Sequence, residues 1–471
     1  MKSALKYLLP LICPLFVLLL PRDALPIPDL TVLEQRVIAI FLLAALCWIL
    51  EPIPIYATSV LIIVLELLLL SDSGIKPLVS GYPEGQLGIL MSYKQIMATF
   101  AAPIIMLFLG GFFLAMAASK YRLDINLARV MLHPFGTNPR AVLLGLMGIT
   151  ALFSMFMSNT ATTAMMLSIL VPVLGVFAPQ DPGRIAFTLA IPLAANIGGI
   201  GTPIGTPPNA IALRYLTGEH AIGFAEWMVF GVPFVLVMML VAWWLLCWLF
   251  PAQQQVIRLE IRGRFLKTPK AWLVYATFLL TLGLWLFGEP LGINSYVVGL
   301  VPVAIFTVTR VITKEDLKTI SWDVLWLVSG GIALGLAMES TGLAKHMVEA
   351  IPFASFSPWL LLLLASLVSL LMANFMSHTA TANLLLPLVA AVGAALPNLV
   401  EVGGLVALLL AVTFAASLGM SLPISTPPNA LAHATGNVDT RQMAKVGVLC
   451  GLLGLLLCYL MLLIMGWVGY L

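Results

Sequence analysis

The chain reads as an all-α integral membrane protein with about 11 transmembrane helices and two re-entrant hairpins. These are arranged as an inverted repeat with interrupted helices at mid-membrane. Three observations predict this. First, 61% of the 471 residues are hydrophobic, only 9% are charged, and the mean hydropathy is +1.07. A soluble domain carries about 25% charged residues, so this chain cannot cover a water-facing surface. Second, apolar runs near the ~20 residues needed to cross a bilayer recur along its length. Third, three sequence landmarks inside those runs occur twice at one offset. The composition excludes cytosolic enzymes, nucleic-acid binders and secreted scaffolds. The near balance of 23 Lys and Arg against 20 Asp and Glu offers no case for a nucleic-acid partner.

Residues 1–30 form an N-terminal helix and loop. Lys2 and Lys6 before an apolar run imitate a signal peptide, but no A-x-A site follows and Pro10 and Pro14 interrupt the run, which predicts a retained helix. A first repeat covers 31–252, with spans at 33–50, 53–70, 96–118 and 227–250, a hairpin at 141–177 and a broken helix at 185–216. Residues 253–270 are a basic, amphipathic connector expected at the cytoplasmic interface. A second repeat covers 271–471, with spans at 271–288, 294–311, 322–340 and 446–468, a hairpin at 358–396 and a broken helix at 404–435. Cys13, Cys47, Cys247, Cys450 and Cys458 sit inside apolar runs and read as small buried hydrophobes. Trp243, Trp244, Trp248 and Trp467 lie near helix ends, where indoles form interfacial belts. Glu66 sits late in a span with Ser71 and Asp72 close behind, and reads as an interfacial carboxylate.

Basic residues set the orientation, because cytoplasmic loops are enriched in Lys and Arg. With both hairpins and a cytoplasmic N-terminus, only Arg22, Arg36, Lys76, Lys94, Arg214 and Lys345 fall outside, and the C-terminus ends outside. Two full spans in place of each hairpin give the same count, so the polar tips carry the case for re-entrance. The setting expected is a prokaryotic cytoplasmic membrane.

Gly110-Gly111 recurs as Gly330-Gly331. Ser158-Asn159-Thr160-Ala161-Thr162 recurs as Ser377-His378-Thr379-Ala380-Thr381. Ile204-Gly205-Thr206-Pro207-Pro208-Asn209-Ala210 recurs as Ile424-Ser425-Thr426-Pro427-Pro428-Asn429-Ala430. An odd number of crossings separates corresponding points, so the second copy is upside down. Inverted repeats with helices broken at mid-membrane are the architecture of secondary transporters, and matching interruptions point to the binding site.

The breaks differ in what they supply. A Ser-Asn/His-Thr tip offers hydroxyl and amide groups and the N–H groups of the arm that starts there, which suit an anion. Two prolines forbid helix and remove donors, releasing the preceding carbonyls. Gly198, Gly199, Gly201 and Gly205 let the first break approach an ion closely. Freed carbonyls suit a hard monovalent cation. No Lys or Arg lies in or beside either break, so a bound dianion needs helix dipoles or a mobile cation. A single Ser-Asn-Thr could be hydrogen-bonding glue between helices; repeated in register, each with a Pro-Pro break about 50 residues downstream, it is not.

These paired motifs resemble the divalent anion/sodium symporter family, INDY-like carriers of di- and tricarboxylates, over nearly the whole chain from Glu51-Pro52-Ile53-Pro54 onward. The resemblance implies a homodimer with a scaffold domain and a transport domain that moves as an elevator, Na+ as coupling ion, and no organic cofactor. It implies a first Na+ site at Ser154, Ser158, Asn159 and the backbone around Gly205. Substrate carboxylates would meet Asn159, Thr160 and Thr206 on one side and Ser377, His378, Thr379 and Pro427 on the other. A second cation site would fall at Ala373, Met376, His378 and Ser425. There the chain departs from the family: His378 stands where Asn is usual, and Ala373 lacks the hydroxyl of Ser154. His378 then reads as a neutral structural group, as a proton-coupling group, or as a cation in place of the second Na+, the last giving a dicarboxylate exchanger. The substrate expected is a C4-dicarboxylate such as succinate, malate or fumarate. Alternatives of another class are a channel, which needs no paired inverted sites, and an intramembrane enzyme, for which no catalytic dyad, HExxH or carboxylate pair is present.

Overall fold

The computed structural model describes residues 2–83, 85–257, 264–350 and 356–471. Among these the chain is helical throughout, with one isolated bridge between Ser71 and Met91. Arg258 and Arg262 of the basic connector lie outside the described residues, and its described parts hold no helix before Pro269.

Eight helices are long and apolar enough to cross a membrane among the described residues. The expected spans at 53–70 and 294–311 fall short of that length, as helices Ile55–Leu69 and Ser295–Val308 of 15 and 14 residues, whereas the N-terminal segment expected at 5–20 forms the 18-residue helix Lys2–Leu19. The spans at 185–216 and 404–435 are broken, as expected. Conversely, both arms of the second expected hairpin, Pro358–Phe375 and His378–Ala395, reach the crossing length. Arms of the first, Pro139–Ser154 and Asn159–Leu174, are shorter.

Local chemistry sets the ends. Helix Val32–Leu50 opens on a capping box, in which Thr31 accepts from the Glu34 N–H while the Glu34 carboxylate accepts from the Thr31 N–H at 2.8 Å. It stops at Glu51, in left-handed conformation before Pro52. The Gln35 amide donates to the carbonyls of Val17 and Leu20, tying the N-terminal helix to its neighbour.

The two repeats are interleaved rather than side by side. Helix Pro103–Lys120 packs most heavily on Ser295–Val308, and Trp322–Ser340 on Ile55–Leu69, so each repeat supplies the other's partner. The duplicated glycines make these contacts possible. A Cβ at Gly110 would strike the backbone of Gly299, and one at Gly330 would strike Ser59. Their neighbours turn toward the motif-bearing segments, Gly111 against Ile204 of the first broken helix and Gly331 against Asn383 of helix His378–Ala395. Close helix approach through small residues is how membrane helices gain van der Waals contact. Leu15, Phe16, Leu236, Leu279 and Val308 are exposed, an apolar perimeter suited to lipid.

Glu66 departs from its expected place. It is 0% exposed, inside the packing rather than at an interface. The segment after it folds back over the helix end: the Ile75 N–H donates to Leu68 O and Met91 N–H to Leu70 O.

Candidate functional site

Both expected tips form the same cap. Ser158 and Ser377 are the N-cap residues of Asn159–Leu174 and His378–Ala395, and their hydroxyls accept from the N–H of Ala161 and Ala380, each at 3.2 Å. Ser at N-cap satisfies one of the orphan N–H groups of a first turn and leaves the earlier ones available. Both broken helices also resume alike. Pro207–Leu213 and Pro427–Ala434 start after Thr206 (φ −145°, ψ 143°) and Thr426 (φ −145°, ψ 150°), with prolines at the first two helical positions, where a missing N–H costs nothing.

These four elements meet around one cavity of about 360 Å³. Its lining includes every expected substrate residue: Asn159, Thr160, Thr206, Ser377, His378, Thr379 and Pro427. It also includes Ser158, Gly205 and Ser425 of the expected cation sites, whereas Ser154, Ala373 and Met376 lie behind the wall and are buried. Among the described residues no Lys or Arg lines it, and its one carboxylate is Asp323. Ile55, Tyr56 and Asp323 place the cavity at the N-terminal ends of helices Ile55–Leu69 and Trp322–Ser340.

In the first half, oxygens converge on a gap. Ser154 Oγ lies 2.6 Å from Asn159 Oδ1 and 2.7 Å from Ala195 O, and its single proton serves one of them at a time. A Cβ added to Gly199 would stand 2.9 Å from both Asn159 Oδ1 and Gly205 O, so the missing side chain keeps open a space between two oxygens. Thr206 makes no cap hydrogen bond with its side chain, which leaves its hydroxyl for a ligand. Such an oxygen set fits a hard monovalent cation.

The second half is closed by its own side chains. His378 Nε2 lies 2.8 Å from Gly419 O, the carbonyl at the place of Gly199. Ser425, at the place of Gly205, donates inward to Asn374 O at 2.8 Å. Ala373 packs directly on Gly419, so no hydroxyl stands where Ser154 does. Thr426 is engaged as a cap, accepting from the Asn429 N–H and from the Asn196 amide, both at 3.2 Å.

Three kinds of residue went unassigned in the sequence. The Asn of each Thr-Pro-Pro-Asn is a brace: Asn209 donates to the carbonyls of Gly199, Ile200 and Thr202, and Asn429 to those of Met420 and Leu422. Asn196, 1% exposed, reaches from the first broken helix to Asn429 Oδ1 at 3.1 Å and links the two breaks. Asn374 accepts from the Ser421 N–H and holds Ser425. The motif spacing signals the two braces. Asn196 and Asn374 are single polar residues in apolar runs and carry no such signal.

A family described as citrate transporters matches residues 45–406. The sodium-dependent dicarboxylate transporter SdcS of Staphylococcus saprophyticus is 31% identical over 90% of this chain and 84% of its own length. That of Staphylococcus aureus is 31% identical over 87% and 82%. In fold, the chain resembles the YdaH transporter of Alcanivorax borkumensis, with a TM-score of 0.55 over 88% of this chain and 98% of that one at 14% identity. With two capped tips and two Thr-Pro-Pro-Asn breaks around one cavity, and these likenesses over most of its length, the chain belongs to the divalent anion/sodium symporter family of membrane transporters and is not an enzyme.

Proposed function

We propose that the protein is a Na+-coupled secondary carrier of di- and tricarboxylates, with C4-dicarboxylates such as succinate, malate and fumarate as first substrates. One observation carries the reading: two helix N-termini and two broken helices converge on a cavity of about 360 Å³ with no Lys or Arg among the described residues of its lining. Pockets of ~300–1,000 Å³ suit small ligands. Helix N-termini and the hydroxyls of Thr160, Thr206, Ser377 and Thr379, with the amide of Asn159, would hold the carboxylates. Na+ at Ser154, Ser158, Asn159 and Gly205 would offset substrate charge and order the first tip before substrate arrives. Asp323 at the rim would repel a second anion.

A second reading has its own support. Because His378 spans to Gly419 O, imidazole takes the place of the second Na+, and the protein is then a dicarboxylate exchanger. Labelled succinate uptake into empty vesicles, with and without Na+ and internal succinate, separates the two. Symport gives Na+-dependent uptake into empty vesicles; exchange requires internal succinate.

The working arrangement we infer is a homodimer in a prokaryotic cytoplasmic membrane, its N-terminus cytoplasmic and its C-terminus outside. The tip-bearing helix pairs enter from opposite faces, and transport and scaffold domains move as an elevator. A cysteine at Gln180 is then labelled from the cytoplasm and one at Val400 from outside. Labelling of both from one face removes the inversion.

A further inference from the structure

Glu66 takes no part in the cavity. It lies 11 residues beyond Ile55 on the same helix, about 16 Å along the axis at 1.5 Å per residue. Its side chain is wholly buried, and neither carboxyl oxygen has a hydrogen-bond partner. An ionised carboxylate with no partner is not tolerated in a low-dielectric interior, where such groups neutralise or find a counter-ion.

The counter-ion at hand is committed elsewhere. Arg214 ends the second arm of the first broken helix, which packs on helix Trp322–Ser340, itself the main packing partner of the helix that carries Glu66. Its guanidinium donates to Ile332 O on helix Trp322–Ser340. Charges from the packed elements are occupied as well. On Val32–Leu50, Glu34 holds the Thr31 cap and lies 2.9 Å from His346, while Arg36 donates to the carbonyls of Leu69 and Leu78. Lys94 of Tyr93–Ala98 is exposed, Asp72 accepts from the Tyr93 N–H, and Glu339 stands at the outer end of Trp322–Ser340. Beside this cluster is a cavity of about 250 Å³, separate from the substrate cavity, lined by Arg214, Tyr215, Thr217, Gly335 and Glu339. The Tyr215 hydroxyl near it also lacks a partner.

We propose that Glu66 is a proton-binding site whose occupancy holds shut the contact between Arg214 and Ile332. When that contact opens, the guanidinium is freed and water enters from the neighbouring cavity. The Glu66 O–H then releases its proton to the water on that face and stands as a carboxylate beside a free cation. Proton binding therefore favours the arrangement seen here. The site lies on the far side from the substrate cavity and is independent of which ion drives transport.

A cysteine at Met338, which lines that cavity and is 2% exposed, reports the opening, in full-length protein in proteoliposomes whose five native cysteines are replaced. Its labelling rate by an impermeant thiol reagent is divided by the rate in the same protein carrying Glu66→Gln, which cancels the thiol's own titration. Glutamine mimics the protonated acid and keeps the fold. We expect the ratio to climb roughly tenfold as Glu66 loses its proton with rising pH. A ratio that stays flat overturns the proposal. Independently, the infrared C=O stretch of a protonated carboxyl is expected at neutral pH and lost in Glu66→Gln; an unchanged spectrum also overturns it.

Discussion

The break after Gly199 and the break after Ser417 carry the same Thr-Pro-Pro-Asn and resume helix from nearly identical backbone angles, yet they do different chemistry. In the first, Gly199 and Gly205 leave two oxygens facing a gap. In the second, His378 and Ser425 turn the corresponding groups onto protein partners. The prolines and the braces Asn209 and Asn429 fix the path of the chain; the residues between them decide whether an ion has room. A repeat thus preserves a backbone and lets two sites diverge.

Substitutions can break or sharpen this contrast. The largest effect is expected from Gly199→Ala, whose Cβ would fill the gap beside Asn159 Oδ1 and Gly205 O. Na+-driven uptake should fall about 100-fold, the scale of a 1 Å displacement in a working site. Gly419→Ala first meets Ala373 and should instead cost stability, about 1–3 kcal/mol by overpacking. Equal loss of Na+ dependence in both variants would erase the difference between the halves. Next come the tips: under the proposed function, alanine at Asn159, Thr160, Ser377 or Thr379 would remove a hydrogen bond to a substrate carboxylate. Each should weaken dicarboxylate affinity by about 1.5–3 kcal/mol, read by competition of labelled uptake.

A restoring change sharpens the comparison. His378→Asn with Ala373→Ser rebuilds the first half's donor set in the second, and the Hill coefficient for Na+ should rise. An unchanged coefficient would mean that the imidazole closes nothing. Asn196→Ala cuts the tie between the breaks and leaves Asn429 Oδ1 without that donor, at about 1–3 kcal/mol of thermal stability.

The smallest effect lies outside the bilayer. Burial alone would raise the Asp316 carboxyl, but hydrogen bonds from Lys120, 2.5 Å away, and from Thr313 hold it below the usual carboxylate range. A depressed folded pKa adds stability above the unfolded value of ~3.9, lost as pH falls through the folded one. Asp316→Asn should cost about 0.5–1 kcal/mol at neutral pH and nothing in strong acid. Unfolding curves at both pH values would show it; the same deficit in acid would place the cause elsewhere.

Much of the site was legible because it violates its surroundings. Ser158-Asn159-Thr160 and Thr206-Pro207-Pro208-Asn209 are polar or helix-breaking inside apolar runs, and their recurrence removes chance. Asn196 and Asn374 were not legible, since their partners are 233 and 47 residues away in sequence. Glu66 misled for a related reason. Ser71 and Asp72 mark a helix end in any sequence, but whether an end meets water depends on what folds over it, and here the backbone at Ile75 and Met91 does. Span lengths drifted as well, because hydropathy sees an apolar run and not the turn at which its helix stops.

The glycine crossings of the interleaved repeats bear on how such a chain is made. Gly110 has its closest neighbour at Gly299, and Ser59 at Gly330, so neither repeat can finish packing while it is the only one in the membrane. As the chain is synthesised, its first 250 or so residues must wait in the bilayer with these small-residue seams uncovered. Lipid, or an insertase holding the half-built chain, is what fills those seams until the second repeat arrives.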